Sequence, residues 1–128
     1  MISGKKILIA DDSDDNRMLL EMFLKGEEVE LTLTENGLEA LNAFKLSPYH
    51  LVILDAQMPE MDGFEAAIKM REFEKATGRA SVPLIALTGH TEPEIIEKIH
   101  QSGFSQHVSK PIRKNDFVNL VRDILTKK

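Results

Sequence analysis

The amino-acid sequence predicts an α/β domain: a doubly wound, five-stranded parallel sheet in the order 2-1-3-4-5, with helices on both faces. Three observations carry this. Short, nearly unbroken apolar runs recur along the chain, and each is followed by a segment with apolar residues at helical spacing. The alternation is strict, β-α five times, which requires parallel strands joined by helical crossovers. Right-handed crossovers then leave few topologies.

Each element has its own signal. "KKILIA" (Lys5 to Ala10) is an apolar run stopped by two acids and reads as a buried strand. Met18, Leu19, Met22 and Phe23 follow at helical spacing and predict the buried face of helix 1, with Gly26 as its stop. "VELTLTE" alternates from Val29 and reads as strand 2. Asn36 with Glu39 forms a box-like start to helix 2, whose face is Leu38, Leu41 and Phe44 and whose end is Ser47-Pro48. "HLVIL" is strand 3. Asp62 and Glu65 start helix 3, and "ATGRAS" breaks it. "VPLIALT" is strand 4. Thr91 and Glu94 suggest a capping box for helix 4, with Pro93 tolerated in the first turn, Ile95, Ile96 and Ile99 as its face and Gly103 closing it. "SQHVS" is a weaker strand 5. Phe117, Val118, Leu120, Val121, Ile124 and Leu125 make an amphipathic last helix.

Composition narrows the function. The 128 residues suit one domain over 1-128, and 42% hydrophobic residues suffice for a sizeable core. A net charge of −5 argues against nucleic acid as a direct partner and against an anionic membrane surface. It is compatible with a local acidic pocket that takes a cation. Cysteine is absent, which excludes disulfides and thiolate metal sites and fits a cytoplasmic protein. The start, "MISGKK", lacks the apolar stretch of a signal peptide, and no window approaches the ~18 consecutive apolar residues of a membrane span. No repeat, low-complexity segment or linker is evident.

The stretch "LVILDAQMPEMDG" (Leu51 to Gly63) carries the main functional signal. Strand 3 ends abruptly at Asp55, and an ionised carboxylate is costly to bury unless paired or bound to metal. The predicted topology places Asp11 and Asp12 after strand 1, Asp55 at the end of strand 3, Thr88 at the end of strand 4 and Lys110 after strand 5. All five face the carboxyl edge of the sheet, near the switch point between strands 1 and 3 where ligands bind in such folds. Alone, each is ordinary: an aspartate doublet before a helix is a common cap, a threonine after a strand a turn residue, a lysine solvated surface. Together they form three repelling carboxylates with one hydroxyl and one ammonium. Repulsion among them would raise a pKa, whereas a hard divalent cation relieves it without protonation. Mg²⁺ takes one or two carboxylates, a carbonyl and waters, with a substrate phosphate completing its octahedron.

"IADDS", "LDAQMPEMDG", "ALTGH" and "SKPI" resemble, in order and spacing, the receiver domain of two-component response regulators. The resemblance covers essentially the whole chain. "DDSDDNRMLL" and "DAQMPEMDGFEA" are closest in flavour to receivers of hybrid histidine kinases and phosphorelays. The resemblance implies a flavodoxin-like three-layer fold. It implies that Asp55 accepts a phosphoryl group from a phosphohistidine of a histidine kinase or histidine phosphotransfer protein. Asp12 then corresponds to a direct ligand of Mg²⁺ (or Mn²⁺), Asp11 to an acid that helps position the ion, and Gln57 to the residue whose backbone carbonyl completes the metal site. Thr88 corresponds to the hydroxyl that bonds the phosphoryl oxygen, and Lys110 to the cation that neutralises its charge. Such a domain catalyses its own phosphoryl transfer and autodephosphorylation and is not a turnover enzyme. It signals to a downstream partner through the face of helix 4, strand 5 and helix 5.

The resemblance also implies a cis Lys110-Pro111 bond, against a general frequency of about one X-Pro bond in twenty. Two departures stand out. The switch aromatic of the family falls at His107, where an imidazole is smaller, polar and able to change charge near neutrality; it reads equally as a satisfied histidine at a strand edge. The two positions that tune phosphoryl lifetime fall at Gln57 and His90.

Three rival readings are weaker. A phosphohydrolase of the haloacid dehalogenase type would want a second acid two residues after Asp55, where Gln57 stands. A flavodoxin-like flavin protein needs a Ser/Thr/Gly-rich loop after strand 1, and "DDSDDN" would repel the flavin phosphate without a cation. An interaction module that is never phosphorylated would not need the complete acidic set.

Overall fold

The computed structural model describes residues 3–126. Its elements run β1 (Ser3–Ala10), α1 (Asp14–Phe23), β2 (Glu28–Thr34), α2 (Gly37–Leu46), β3 (Leu51–Asp55), α3 (Gly63–Thr77), β4 (Leu84–Thr88), α4 (Pro93–Gln101), β5 (Gln106–Ser109) and α5 (Lys114–Thr126). The five strands form one parallel sheet in the order β2-β1-β3-β4-β5, as the alternation predicted.

The central strands are apolar throughout because both faces of the sheet are covered. Leu8, Ala10, Val52, Leu54, Leu84 and Ala86 pack with α2, α3 and α4 through residues such as Phe44, Met70 and Ile99. Their neighbours in sequence, Ile7, Ile9, Leu51, Ile53, Ile85 and Leu87, point the other way onto α1 and α5, against Leu20, Phe117 and Val121. The period of 2 along each strand thus feeds two separate cores.

The helix starts follow the predicted chemistry in two cases. Asn36 Oδ1 accepts the Glu39 N–H at 2.8 Å, and Asp62 Oδ1 accepts the Glu65 N–H at 2.9 Å. In place of the reciprocal bond of the first box, the N–H of Glu35, one residue before the cap, donates to Glu39 Oε1 at 3.0 Å. The expected Thr91/Glu94 box does not form. Pro93 is the first helical residue, so the cap moves to Glu92, which makes no side-chain cap bond, and Glu94 falls one place too early in the helix. Proline suits that position, since its fixed φ is helical and its missing N–H would have had no partner there.

Two predicted helix faces are corrected. In α1, Met18 and Met22 are 58% and 62% exposed; of the expected face Phe23 does pack on the core, beside Phe117, but the fully buried residues are Leu20 and Leu24, one turn apart. Apolar residues at 18–20 and 22–24 offer two stripes. Ser13 Oγ accepts the Asn16 N–H at 3.2 Å and starts the helix, and packing of Leu20 and Leu24 with Ile7, Ile9, Ile53 and Phe117 selects the second stripe. The helix also stops before Gly26, with Leu24 as its cap. In α2, Leu38 is outward and the buried stripe is Gly37, Ala40, Leu41 and Phe44. That stripe begins on a glycine, which carries no apolar side chain to reveal it. Gly37 is required there because its N–H donates to the Met61 carbonyl at 2.9 Å, leaving no room for a Cβ. Gly78 and Gly103 end α3 and α4 with positive φ of 73° and 103°, the left-handed turn that glycine adopts without strain.

Candidate functional site

In the order β2-β1-β3-β4-β5, the chain leaves β1 and β3 toward opposite faces of the sheet, which opens a crevice at their carboxyl ends. A cleft of about 330 Å³ lies there, lined by Asp12, Asp55, Gln57, Thr88, His90 and Lys110 among others. A larger cleft of about 480 Å³ between α1 and β2 has no comparable gathering of reactive groups.

Asp55 ends β3 and is 6% exposed. Its Oδ1 accepts the Gln57 N–H at 3.1 Å, and its Oδ2 accepts a bond from Lys110 Nζ at 3.0 Å. The backbone around it is fixed by Ala56 N–H to Leu87 O at 2.9 Å and Gly63 N–H to Ala56 O at 3.0 Å. Gly63 must be glycine: a Cβ there would collide with the Asp55 carbonyl oxygen. Lys110 reaches the crevice because its own N–H donates to the Thr88 carbonyl at 2.8 Å. The Lys110-Pro111 peptide is cis, as expected.

Asp11 is fully buried. Its Oδ1 accepts the Ser13 N–H at 2.9 Å. Its Oδ2 has no hydrogen-bond partner, and the nearest cation, Lys110 Nζ, stands at 3.8 Å, close enough to attract but not to bond. Burial pushes the Asp11 carboxyl above its ordinary value; the neighbouring Asp55 and Asp12 add to this, while the Ser13 N–H and Lys110 oppose it.

Carboxylate oxygens of Asp11, Asp12 and Asp55 lie within 4.8 Å of one another. An all-oxygen set of this kind, with a buried oxygen left without a bond and Asp12 open to solvent, fits a hard divalent cation. The three acids that the sequence placed at one edge thus do lie together. Gln57 and His90 sit exposed at the rim. Thr88 is buried, and its hydroxyl donates to the His90 carbonyl and accepts from the His90 N–H, both at 3.0 Å. His107 stands apart from the crevice: half-buried on β5, it meets the His100 ring of α4 edge-on, with centroids 6.4 Å apart.

Sequence reasoning missed Ser13, whose side chain caps α1 and whose N–H holds Asp11. A serine three residues before Asn16 was the available signal. It also missed Arg17, whose Nη1 donates to the Asp11 carbonyl at 2.6 Å. The Asp14/Arg17 spacing of three was the available local signal for the ion pair, but nothing local marks the bond to the Asp11 carbonyl or the approach to Glu35.

A doubly wound sheet with a strand-end carboxylate, an acidic cluster and a lysine at its switch point defines a class of small signalling domains. Comparison with known families makes this specific: residues 7–122 match the response regulator receiver domain, and the chain belongs to that family as a receiver of two-component and phosphorelay systems. It is 32% identical over 116 residues to the sensor protein GacS of Pseudomonas syringae pv. syringae, which covers 91% of this chain but only 13% of GacS. It is 35% identical to an uncharacterised 14.6 kDa protein of Leptolyngbya boryana, covering 91% of this chain and 86% of that one. Among solved structures, it resembles a chain in the co-crystal structure of the Saccharomyces cerevisiae histidine phosphotransfer signalling protein Ypd1 with the receiver domain of its downstream response regulator Ssk1. The TM-score is 0.85 at 30% identity, with 97% of this chain and 88% of that one covered.

Proposed function

We propose that the domain accepts a phosphoryl group on Asp55 from a phosphohistidine and that the modification alters a protein-binding face. The single observation that carries this is the placement of Lys110 Nζ at 3.0 Å from Asp55 Oδ2, beside a cluster of acids fit for a cation.

Asp55 is held for attack by the Gln57 N–H on Oδ1 and Lys110 on Oδ2. A carboxylate oxygen attacks phosphorus; a P–O bond forms as the P–N bond to imidazole breaks, and the imidazole leaves with the bonding pair. Little covalent chemistry is asked of the protein beyond positioning and charge neutralisation. Lys110 balances negative charge on the phosphoryl oxygens. The Thr88 hydroxyl redirects its proton from the His90 carbonyl to one of those oxygens. Asp12, Asp55 and the Gln57 carbonyl would hold Mg²⁺ or Mn²⁺, with Asp11 alongside. Such an ion supplies charge neutralisation and orientation of the phosphoryl oxygens. Gln57 and His90, at the rim, are placed to admit or block the water that hydrolyses the acyl phosphate. Asp55 is itself modified in the step, so the domain is catalyst and substrate at once rather than a turnover enzyme.

The donor is a histidine kinase or histidine phosphotransfer protein, and a cytoplasmic setting goes with that partner. The 30% identity to a receiver solved with a phosphotransfer protein supports this partner class, as do the exposed Met18, Leu19 and Met22 on α1, beside the acidic loop. A downstream protein reads the face of α4, β5 and α5, where His107 meets His100. A net charge of −5 disfavours nucleic acid and an anionic membrane surface as direct partners.

The test is mass spectrometry after treatment with acetyl phosphate and Mg²⁺. The chain should gain one phosphoryl group, on Asp55, and Asp55→Asn should gain none. Equal labelling of that variant would overturn the assignment.

A further inference from the structure

Arg17 belongs to no part of the mechanism above, yet it is 87% withdrawn from solvent, with a side-chain exposure of 13%. It lies in the first turns of α1, where its backbone N–H donates to the Ser13 carbonyl at 3.0 Å. Its guanidinium touches three places. Nη1 donates to the backbone carbonyl of Asp11 at 2.6 Å. Nη2 pairs with the carboxylate of Asp14, on α1. The same nitrogen stands 3.5 Å from Glu35 Oε1, just beyond the end of β2.

The Asp11 carbonyl is one half of the planar Asp11-Asp12 peptide. Fixing its direction fixes the plane, and with it the position from which the Asp12 side chain departs. The rest of Asp11 is already held: its N–H donates to Thr34 O at 3.2 Å and its Oδ1 accepts from Ser13. Arg17 supplies the remaining restraint, on the side that leads to exposed Asp12. Its hydrogen bond to Asp11 is made at the backbone carbonyl, so its influence is on backbone geometry. Mg²⁺ demands near-ideal octahedral geometry, so small displacements of a ligand weaken it.

We propose that Arg17 is a positioning residue for the cation site, fixing the Asp11-Asp12 peptide through a guanidinium fork anchored on Asp14 and Glu35. This rests on the reading that Asp11, Asp12 and Asp55 hold Mg²⁺. Lysine cannot replace the fork, because a single ammonium cannot span the same partners with fixed geometry.

Mg²⁺ affinity of the full chain, measured by calorimetry, tests it, alongside the melting temperature in EDTA and the Mg²⁺ dependence of acetyl phosphate labelling. Wild type should bind one ion and Asp12→Ala none. Arg17→Ala should bind about tenfold more weakly, the scale seen when residues supporting metal ligands are lost. Its labelling rate at saturating Mg²⁺ should stay within about twofold of wild type, a shift in half-saturation and not in maximum that general loss of structure would not give. Arg17→Lys should recover little of the affinity. Should Arg17→Ala fail to fold, the double variant Asp14→Asn, Glu35→Gln, at two exposed positions, frees the fork and should weaken binding in the same sense. A wild type that binds no Mg²⁺ removes the underlying reading. A wild type that binds, with the Arg17→Ala or double variant within twofold of it, or full rescue by lysine, overturns the role of Arg17 alone.

Discussion

Lys110 Nζ stands 3.0 Å from Asp55 Oδ2 and 3.8 Å from Asp11 Oδ2, so one ammonium serves two buried carboxylates, one ending β3 and one just past β1. Lysine at this position offsets repulsion in the resting site, and under the proposed function it would also balance charge when a phosphoryl group arrives. Lys110→Ala should lower the rate of labelling by acetyl phosphate about a hundredfold, the scale for losing one preorganised electrostatic contact. Stopped reactions resolved by mass spectrometry would measure this; a rate within a few-fold of wild type would assign charge neutralisation elsewhere.

Burial raises the Asp11 carboxyl above its ordinary value of 3.8, so in the divalent-free protein the folded state holds that proton more tightly than the unfolded state does. Below pH 3.8 the group is protonated in both states and costs nothing. As pH rises from there through the raised folded value, a penalty develops, and it is complete above it. Asp11→Asn should therefore melt higher than wild type in EDTA, with the gap widening over that window and then levelling. Melting curves at several pH values decide it; a gap that narrows as pH rises would contradict the assignment.

Two glycines give opposite expectations for alanine. At Gly63 a Cβ would strike the Asp55 carbonyl oxygen and come 3.0 Å from Ala56 Cα, both backbone atoms that cannot swing aside. Gly63→Ala should cost about 2 kcal/mol, the range for overpacking, and should slow labelling because the strain falls on the nucleophile's own peptide. At Gly26 a Cβ meets nothing within 4 Å. Gly26→Ala should be neutral or stabilise by up to about 1 kcal/mol through the unfolded chain. Urea titrations compare them directly.

The contact between His107 and His100 links β5 to α4 on the face assigned to partners. When Thr88 turns its hydroxyl toward a phosphoryl oxygen, space opens behind it and His107 should turn inward, leaving His100. Only a difference in stability between the two arrangements gives a signal. With beryllofluoride and Mg²⁺, amide resonances of both histidines should shift together with Thr88. A mimic that binds while residues 88 to 110 keep their resonances outside the pocket would rule the switch out.

The sequence by itself determined the strands, their parallel pairing, the glycine stops of α3 and α4, and the group of Asp11, Asp12, Asp55, Thr88 and Lys110 at one edge. Apolar runs and strand-end polar residues are local features, and strict alternation with right-handed crossovers turns local order into a single edge. Only the tertiary structure decided which stripe of α1 faces the sheet, since apolar residues at 18–20 and 22–24 permit two rotations and packing of Leu20 and Leu24 with β1, β3 and α5 selects one. It also decided the duty of Arg17, whose partners Asp11, Asp14 and Glu35 come from the ends of β1 and β2 and from α1. The meeting of His107 with His100 was likewise hidden, because contacts between elements depend on packing distances that no single segment of chain records.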